Sequence, residues 1–318
     1  MLFVTNRAIN EEKNGNPNRN ISFYLDNTES EQSVYYSRRD GEGRYTEIGS
    51  ANFHQELRDS SYKQILLYIH GFSNLPEPHI FPRAAKLQEL FDAKEANGVQ
   101  VVPMIWPCDN DASILGDYWD DQKAADASAF AFARVLEKFM AWRADSEPCI
   151  KRINLIAHSM GNRVLRQTLA AWRKYDRPGG LPLIFRNTFL MAADIVNESL
   201  ERGKAGEGIC HASRNVLVYY ASDDLALRAS KASNLKNKVA SRRLGHSGPE
   251  DMSTVPGNVY AIDCDNFNTR YDTPTGHSYF LDNDAGESGV VFNHMLEAIQ
   301  SGRVPTGDDF KERQIILT

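Results

Sequence analysis

The alternation of apolar and polar residues changes rhythm near residue 63. Before it, short segments alternate with period two: LFVT (2–5), ISFYLD (21–26), VYYSRR (34–39) and RYTEIG (44–49). That period puts one face of a strand inward and predicts half-buried strands over residues 1–62. The last two segments flank DGEG, where Gly41 and Gly43 supply the positive φ of a tight hairpin turn. These strands read as antiparallel and extend one edge of a larger sheet.

From residue 63 the apolar runs become continuous. ILLYI (65–69) is apolar on both faces, as a strand inside a parallel sheet must be. Ala84, Leu87, Leu90 and Phe91 then recur at helical spacing, with Gly98 as a stop. VQVVPMIW (99–106) is the next strand, and Ala125, Ala129, Phe132, Leu136, Phe139 and Met140 mark a long amphipathic helix. Strand RINLIA, helix MGNRVLRQTLAAWRKY and strands TFLMAA, NVLVYYA and VYAIDC follow, before a closing helix VVFNHMLEAIQSG. Strands alternating with helices predict an α/β fold whose mostly parallel central sheet is covered on both faces. We expect one domain over 1–318, with a core at 63–302 and a tail at 303–318. Two insertions, near 107–121 and 228–249, are expected to cover the site. The first carries Tyr118 and Trp119 and suits an acyl pocket or its own packing; the second carries Arg228, Lys231, Lys236, Lys238, Arg242 and Arg243.

Composition narrows the partners. Hydrophobic residues make up 42% of the 318, enough for a sizeable core. The formal net charge of −6 gives no general reason to expect nucleic acid or an anionic membrane as partner. Cys108, Cys149, Cys210 and Cys264 are widely spaced, with neither zinc-ligand nor disulfide-framework spacing. No H-x-H or H-E-x-x-H pair suggests a metal hydrolase, and no cofactor is implied. The N-terminus lacks a signal-peptide pattern, and no run approaches the roughly 20 apolar residues of a membrane span. The expectation is a cytoplasmic protein without stable membrane insertion, acting on a small-molecule or lipid-like acyl substrate.

The chemistry concentrates at residues 153–165, INLIAHSMGNRVL. A buried strand runs into Ala157-His158-Ser159-Met160-Gly161 and then directly into a helix. This is the context of a nucleophile elbow, in which a sharp turn lifts a serine above the sheet. Its flanks at −2 and +2 must be small, which Ala157 and Gly161 satisfy. The helix N-terminus would then face the oxyanion. Two backbone N–H groups should complete the hole: that of Met160 and that of Phe72 in the loop His70-Gly71-Phe72-Ser73-Asn74. Gly71 permits close approach, and His70 is expected to hold this loop rather than to transfer protons.

In this arrangement the acid and then the base follow the serine. Of His211, His246, His277 and His294, His277 in TPTGHSYF follows the last strand and is preferred as base, with His246 its rival. Asp224, after NVLVYYA, is preferred as acid. Asp223 is expected to cap the following turn, and Asp194 after FLMAA is the alternative acid.

ILLYIHGFSN, INLIAHSMGNRVL, FLMAADI, YYASDDLALRAS and GHSYF, in that order, resemble the α/β-hydrolase superfamily. VTNR and Trp106-Pro107 make the chain similar to one bacterial branch, the DUF900 group. The resemblance implies the α/β-hydrolase fold and a Ser159–Asp224–His277 triad, and no particular substrate. Ala157 stands where the superfamily usually has Gly, and Ala is still small. The expected reaction is cleavage of a carboxylic ester or thioester. A non-catalytic binding scaffold and a peptidase of the same fold remain the alternatives.

Overall fold

The computed structural model describes the chain except residues 13–16, 26–29, 109–113, 148, 229–241, 284–285, 287, 307–311 and 318. Its strands are β1 (Leu2–Arg7), β2 (Arg19–Ile21), β3 (Ser30–Gly41), β4 (Arg44–Glu47), β5 (Gln64–Ile69), β6 (Val99–Ile105), β7 (Arg152–His158), β8 (Phe185–Met191), β9 (Ser213–Tyr220), β10 (Val259–Asp263) and β11 (Gln314–Ile316). They form one sheet in the order β11-β10-β9-β8-β7-β5-β6-β1-β3-β4-β2. From β11 to β1 every pairing is parallel, and β3, β4 and β2 continue the edge antiparallel.

The apolar runs explain the layering. Along β5, Ile65 and Ile69 join one core cluster while Leu66 and Tyr68 join the other, so both faces are covered. The first face takes α1 (Gly49–Asp59), α3 (Ile114–Asp145), α4 (Gly161–Tyr175) and α5 (Glu207–Ala212), through residues such as Phe53, Phe132, Trp172 and Ile209. The second takes α2 (Phe81–Lys94), through Leu87 and Phe91, and the closing helix (Val290–Ser301), through Phe292 and Met295. Two one-turn helices, α6 (Leu244–Ser247) and α7 (Asn268–Tyr271), precede that closing helix, α8. The last carbonyls of α8 need donors. Gln64 on β5, Asn187 on β8 and Asn215 on β9 give their amides to the carbonyls of Ile299, Ala298 and Gly302.

Four local expectations change. Residues 49–59 form α1, because Phe53, His54 and Leu57 bury one helical face after a short hairpin. The described residues of ISFYLD contribute only the end of β2 and an isolated bridge from Phe23 to Ile9. The tail adds β11, so VYAIDC is the penultimate strand. Residues 114–121 are the first turns of α3, and most of the basic 228–249 segment lies outside the described residues. No helix among the described residues is long and apolar enough to cross a membrane.

Candidate active site

Register sets the site. Ile69 pairs with Ala157, and Ala157 with Leu190, so β5, β7 and β8 end level with one another. Ser159 follows β7 with φ +54°, a left-handed conformation that a side chain other than Gly adopts at a cost. Hydrogen bonds fix it there. Its N–H donates to the Met191 carbonyl at 2.9 Å, and its carbonyl accepts from Asp194 N–H at 3.2 Å. The Asn162 amide donates to the carbonyls of Ala157 and Ser159, at 2.9 and 3.0 Å. Asn162 is therefore a clamp of the turn that sequence reasoning passed over.

The small neighbours have measurable reasons. A Cβ on Gly161 would stand 2.5 Å from the His70 carbonyl and 2.6 Å from that of Ile69. One on Gly71 would stand 3.0 Å from Ser159 Cβ. The two glycines let the 70–74 loop close against the serine turn.

That loop is held by His70, which is fully buried. Its Nδ1 donates to the Gly71 carbonyl at 2.8 Å and its Nε2 accepts from Trp106 N–H at 3.2 Å. The ring stacks on Trp106 at 5.1 Å, and the indole donates to the His70 carbonyl. Burial pushes the His70 imidazole down to about 3, so it is neutral and both nitrogens are committed. Ser73 N–H donates to Asp121 at 2.8 Å, anchoring the loop to α3. The backbone N–H groups of Phe72 and Met160 have no acceptor among the described residues. Met160 is wholly buried, and a buried N–H without a partner is costly unless something occupies it.

On the other side of Ser159, His277 and Asp224 meet. His277 Nδ1 lies 2.7 Å from Asp224 Oδ2, and Asp224 is wholly buried. Asp224 Oδ1 accepts from Leu227 N–H at 2.9 Å. Asp224 itself thus caps the turn that Asp223 was expected to cap, whereas Asp223 accepts from the Asn268 amide. Asp272, not singled out from sequence, takes the N–H groups of His277 and Ser278 at 2.7 Å each. Leu225 N–H donates to the Thr275 carbonyl, tying the acid loop to the base loop. His158 Nε2 donates to the His277 carbonyl at 3.1 Å, and the two rings lie 4.8 Å apart. Burial, then the neighbouring His277, hold His158 well below its ordinary value and therefore neutral. No hydrogen bond joins Ser159 Oγ to His277 Nε2; each is without a partner among the described residues.

The competing residues are engaged elsewhere. Asp194 accepts from Tyr118 Oη at 2.9 Å and pairs with the buried Arg243 at 3.1 Å. Tyr118 also packs edge-on against Phe72, at 5.8 Å. His294, on α8, accepts from Tyr219 and donates to the Pro305 carbonyl. His211 is partly exposed beside Glu207, and His246 sits in α6.

A family model described as alpha/beta hydrolase of unknown function (DUF900) matches residues 47–287. The chain belongs to this family. Membership makes the α/β-hydrolase scaffold a property of the chain and agrees with the sheet above. It begins at the end of β4, so β1–β3 lie outside the matched region. A search of the curated proteins finds no match.

Proposed function

We propose that this DUF900 protein is a serine hydrolase that cleaves a carboxylic ester or thioester through an acyl-enzyme. The observation that carries the reading is the 2.7 Å contact of His277 Nδ1 with buried Asp224, beside a serine at positive φ. A carboxylate on Nδ1 fixes the tautomer that leaves Nε2 free to accept a proton. Ser159 Oγ attacks the acyl carbon and its proton passes to His277 Nε2. The carbonyl oxygen becomes an oxyanion between the N–H groups of Met160 and Phe72. The C–O or C–S bond breaks, and the leaving group takes the proton from Nε2. Water, deprotonated by the same imidazole, then releases the acid and restores Ser159. The missing Ser159–His277 bond fits a resting site, since such bonds often tighten only with substrate present.

His70, Gly71 and Gly161 support the oxyanion loop, and His158 supports the carbonyl of His277. The edge-on contact of Tyr118 with Phe72, beside the oxyanion loop, supports the reading that these two rings line the acyl side. The test is hydrolysis of a short activated ester. Ser159→Ala should lower kcat by about 10⁴-fold or more with the melting temperature retained. Retention of more than about one per cent of activity would remove Ser159 from the nucleophile's role.

A further inference from the structure

At the end of the sheet opposite Ser159, the N-terminal ends of β5, β7, β8 and β9 border a half-open groove of about 580 Å³ beside α1 and the end of α3. Leu57, Ile65, Phe139, Trp142, Ile153 and Phe185 give it an apolar lining. Ile150 and Leu183 also line it and are 94% and 62% exposed, so they carry its apolar surface out to solvent. Its volume lies within the range of small-ligand sites.

The charge around this groove runs against the rest of the chain. Arg58, Arg143, Lys151, Arg152, Arg186 and Arg214 line it, and no carboxylate does among the described residues, in a protein of net charge −6. Two of the six are already occupied. Arg58 meets Asp59 at 3.3 Å, and Lys151 donates to the carbonyls of Leu57 and Ser60. Three others, Arg152, Arg186 and Arg214, stand near one another at the strand ends. Phe185 pairs with Ser213 and Asn187 with Asn215, so Arg186 and Arg214 leave adjacent strands side by side at the rim of the groove, with Arg186 turned towards the end of α8. Arg152 and Arg214 have no hydrogen bond or ion pair among the described residues, and Arg186 donates only to the Ser301 carbonyl at 3.3 Å. Burial, then Arg152 and Arg214, depress the Arg186 guanidinium below its ordinary value. Like charges gathered without a counter-ion repel, and a bound anion relieves that repulsion. Guanidinium groups bind phosphate oxygens through paired N–H donors, and three positive charges suit a dianionic phosphate better than a single carboxylate.

We propose that this groove binds a single-chain amphiphile with a phosphate head, its alkyl chain on the apolar lining and its phosphate among Arg152, Arg186 and Arg214. The site is separate from Ser159 and does not depend on the hydrolase reading. The test is calorimetric titration of the whole protein with decyl phosphate below its micelle concentration. One molecule should bind per chain. Arg152→Glu with Arg214→Glu, both at exposed positions, should weaken binding at least about tenfold at unchanged melting temperature. Arg152→Gln with Arg214→Gln gives a second, milder pair should charge reversal disturb folding. Decyl maltoside and inorganic phosphate should each bind at least about tenfold more weakly than decyl phosphate, since each lacks one half of the ligand. Equal affinity in the substituted proteins would overturn the proposal, because decyl phosphate seated at Ser159 is indifferent to these arginines. Inorganic phosphate binding as tightly as decyl phosphate would also overturn it. So would binding to phosphatidylglycerol vesicles with no affinity for the monomer, which would make the face a bilayer-docking surface instead.

Discussion

Replacing Asp224 by Asn changes one atom of the candidate triad and leaves its volume alone. Asp224 spends both oxygens: Oδ2 faces His277 Nδ1 at 2.7 Å and Oδ1 accepts from Leu227 N–H at 2.9 Å. An amide has one acceptor and cannot serve both donors. If its oxygen stays on Leu227, its NH₂ faces Nδ1 and favours the tautomer protonated at Nε2, which cannot take the serine proton. If the amide flips, two N–H groups confront each other at the turn, and the imidazolium still loses its balancing charge. In a serine protease the equivalent change costs about 10⁴-fold. We therefore expect kcat for an activated ester to fall about 10³- to 10⁴-fold, or about 4–5.5 kcal/mol in the barrier. Asp194→Asn should behave oppositely. It breaks the buried contact with Arg243 and so costs about 3 kcal/mol of stability, while kcat changes less than about tenfold. Steady-state kinetics with thermal melts on both variants separate the roles. If Asp194→Asn is crippled in kcat and Asp224→Asn lies within about tenfold of wild type, the acid assignment is wrong.

Other outcomes follow from the packing. Gly161→Ala should lower the melting temperature and ester hydrolysis together, because its methyl would press on the backbone carbonyls of Ile69 and His70, an overpacking worth about 1–3 kcal/mol; unchanged kinetics and melting would show that the loop can retreat. His54 is buried, and desolvation, then Lys138, lower it to about 4, against about 6.5 in the unfolded chain. Between those values the unfolded chain binds a proton the folded one does not. Stability is thus complete above about pH 6.5 and falls toward pH 4 by up to about 1.4 kcal/mol per unit. His54→Phe, among Tyr36, Phe53, Phe139 and Trp142, should flatten that decline in urea unfolding at pH 5, 6 and 7, and parallel curves would refute it.

The sheet was legible where burial on both faces makes a run continuously apolar, as in ILLYI and RINLIA. Composition also marks the serine turn, since only small residues fit beside Ile69, His70 and Ser159. Helix α1 was hidden because its inward residues, Phe53, His54 and Leu57, form a short polar-rich stripe after strand-like sequence. Strand β11 was hidden because three residues carry little periodicity, and its pairing with β10 is fixed by tertiary contact. The division of labour between Asp223 and Asp224 is a matter of side-chain direction. Adjacent carboxylates look alike in sequence, yet one is buried against His277 and the other takes Asn268. Asn162 and Asp272 escaped notice for the same reason: both act on backbone groups, and no spacing rule announces a clamp. Arg152, Arg186 and Arg214 come from three strands and are brought together only when the sheet is assembled.

The central claim is that Ser159 is an activated nucleophile, and a fluorophosphonate reagent tests it without knowledge of the substrate. Intact-mass and peptide mass spectrometry should find one adduct per chain, on the peptide containing Ser159. Ser159→Ala should abolish it, and Asp224→Asn should slow its formation. A folded wild-type protein that stays unlabelled under conditions that label an ordinary serine esterase, or that carries the adduct on another residue, would contradict the account.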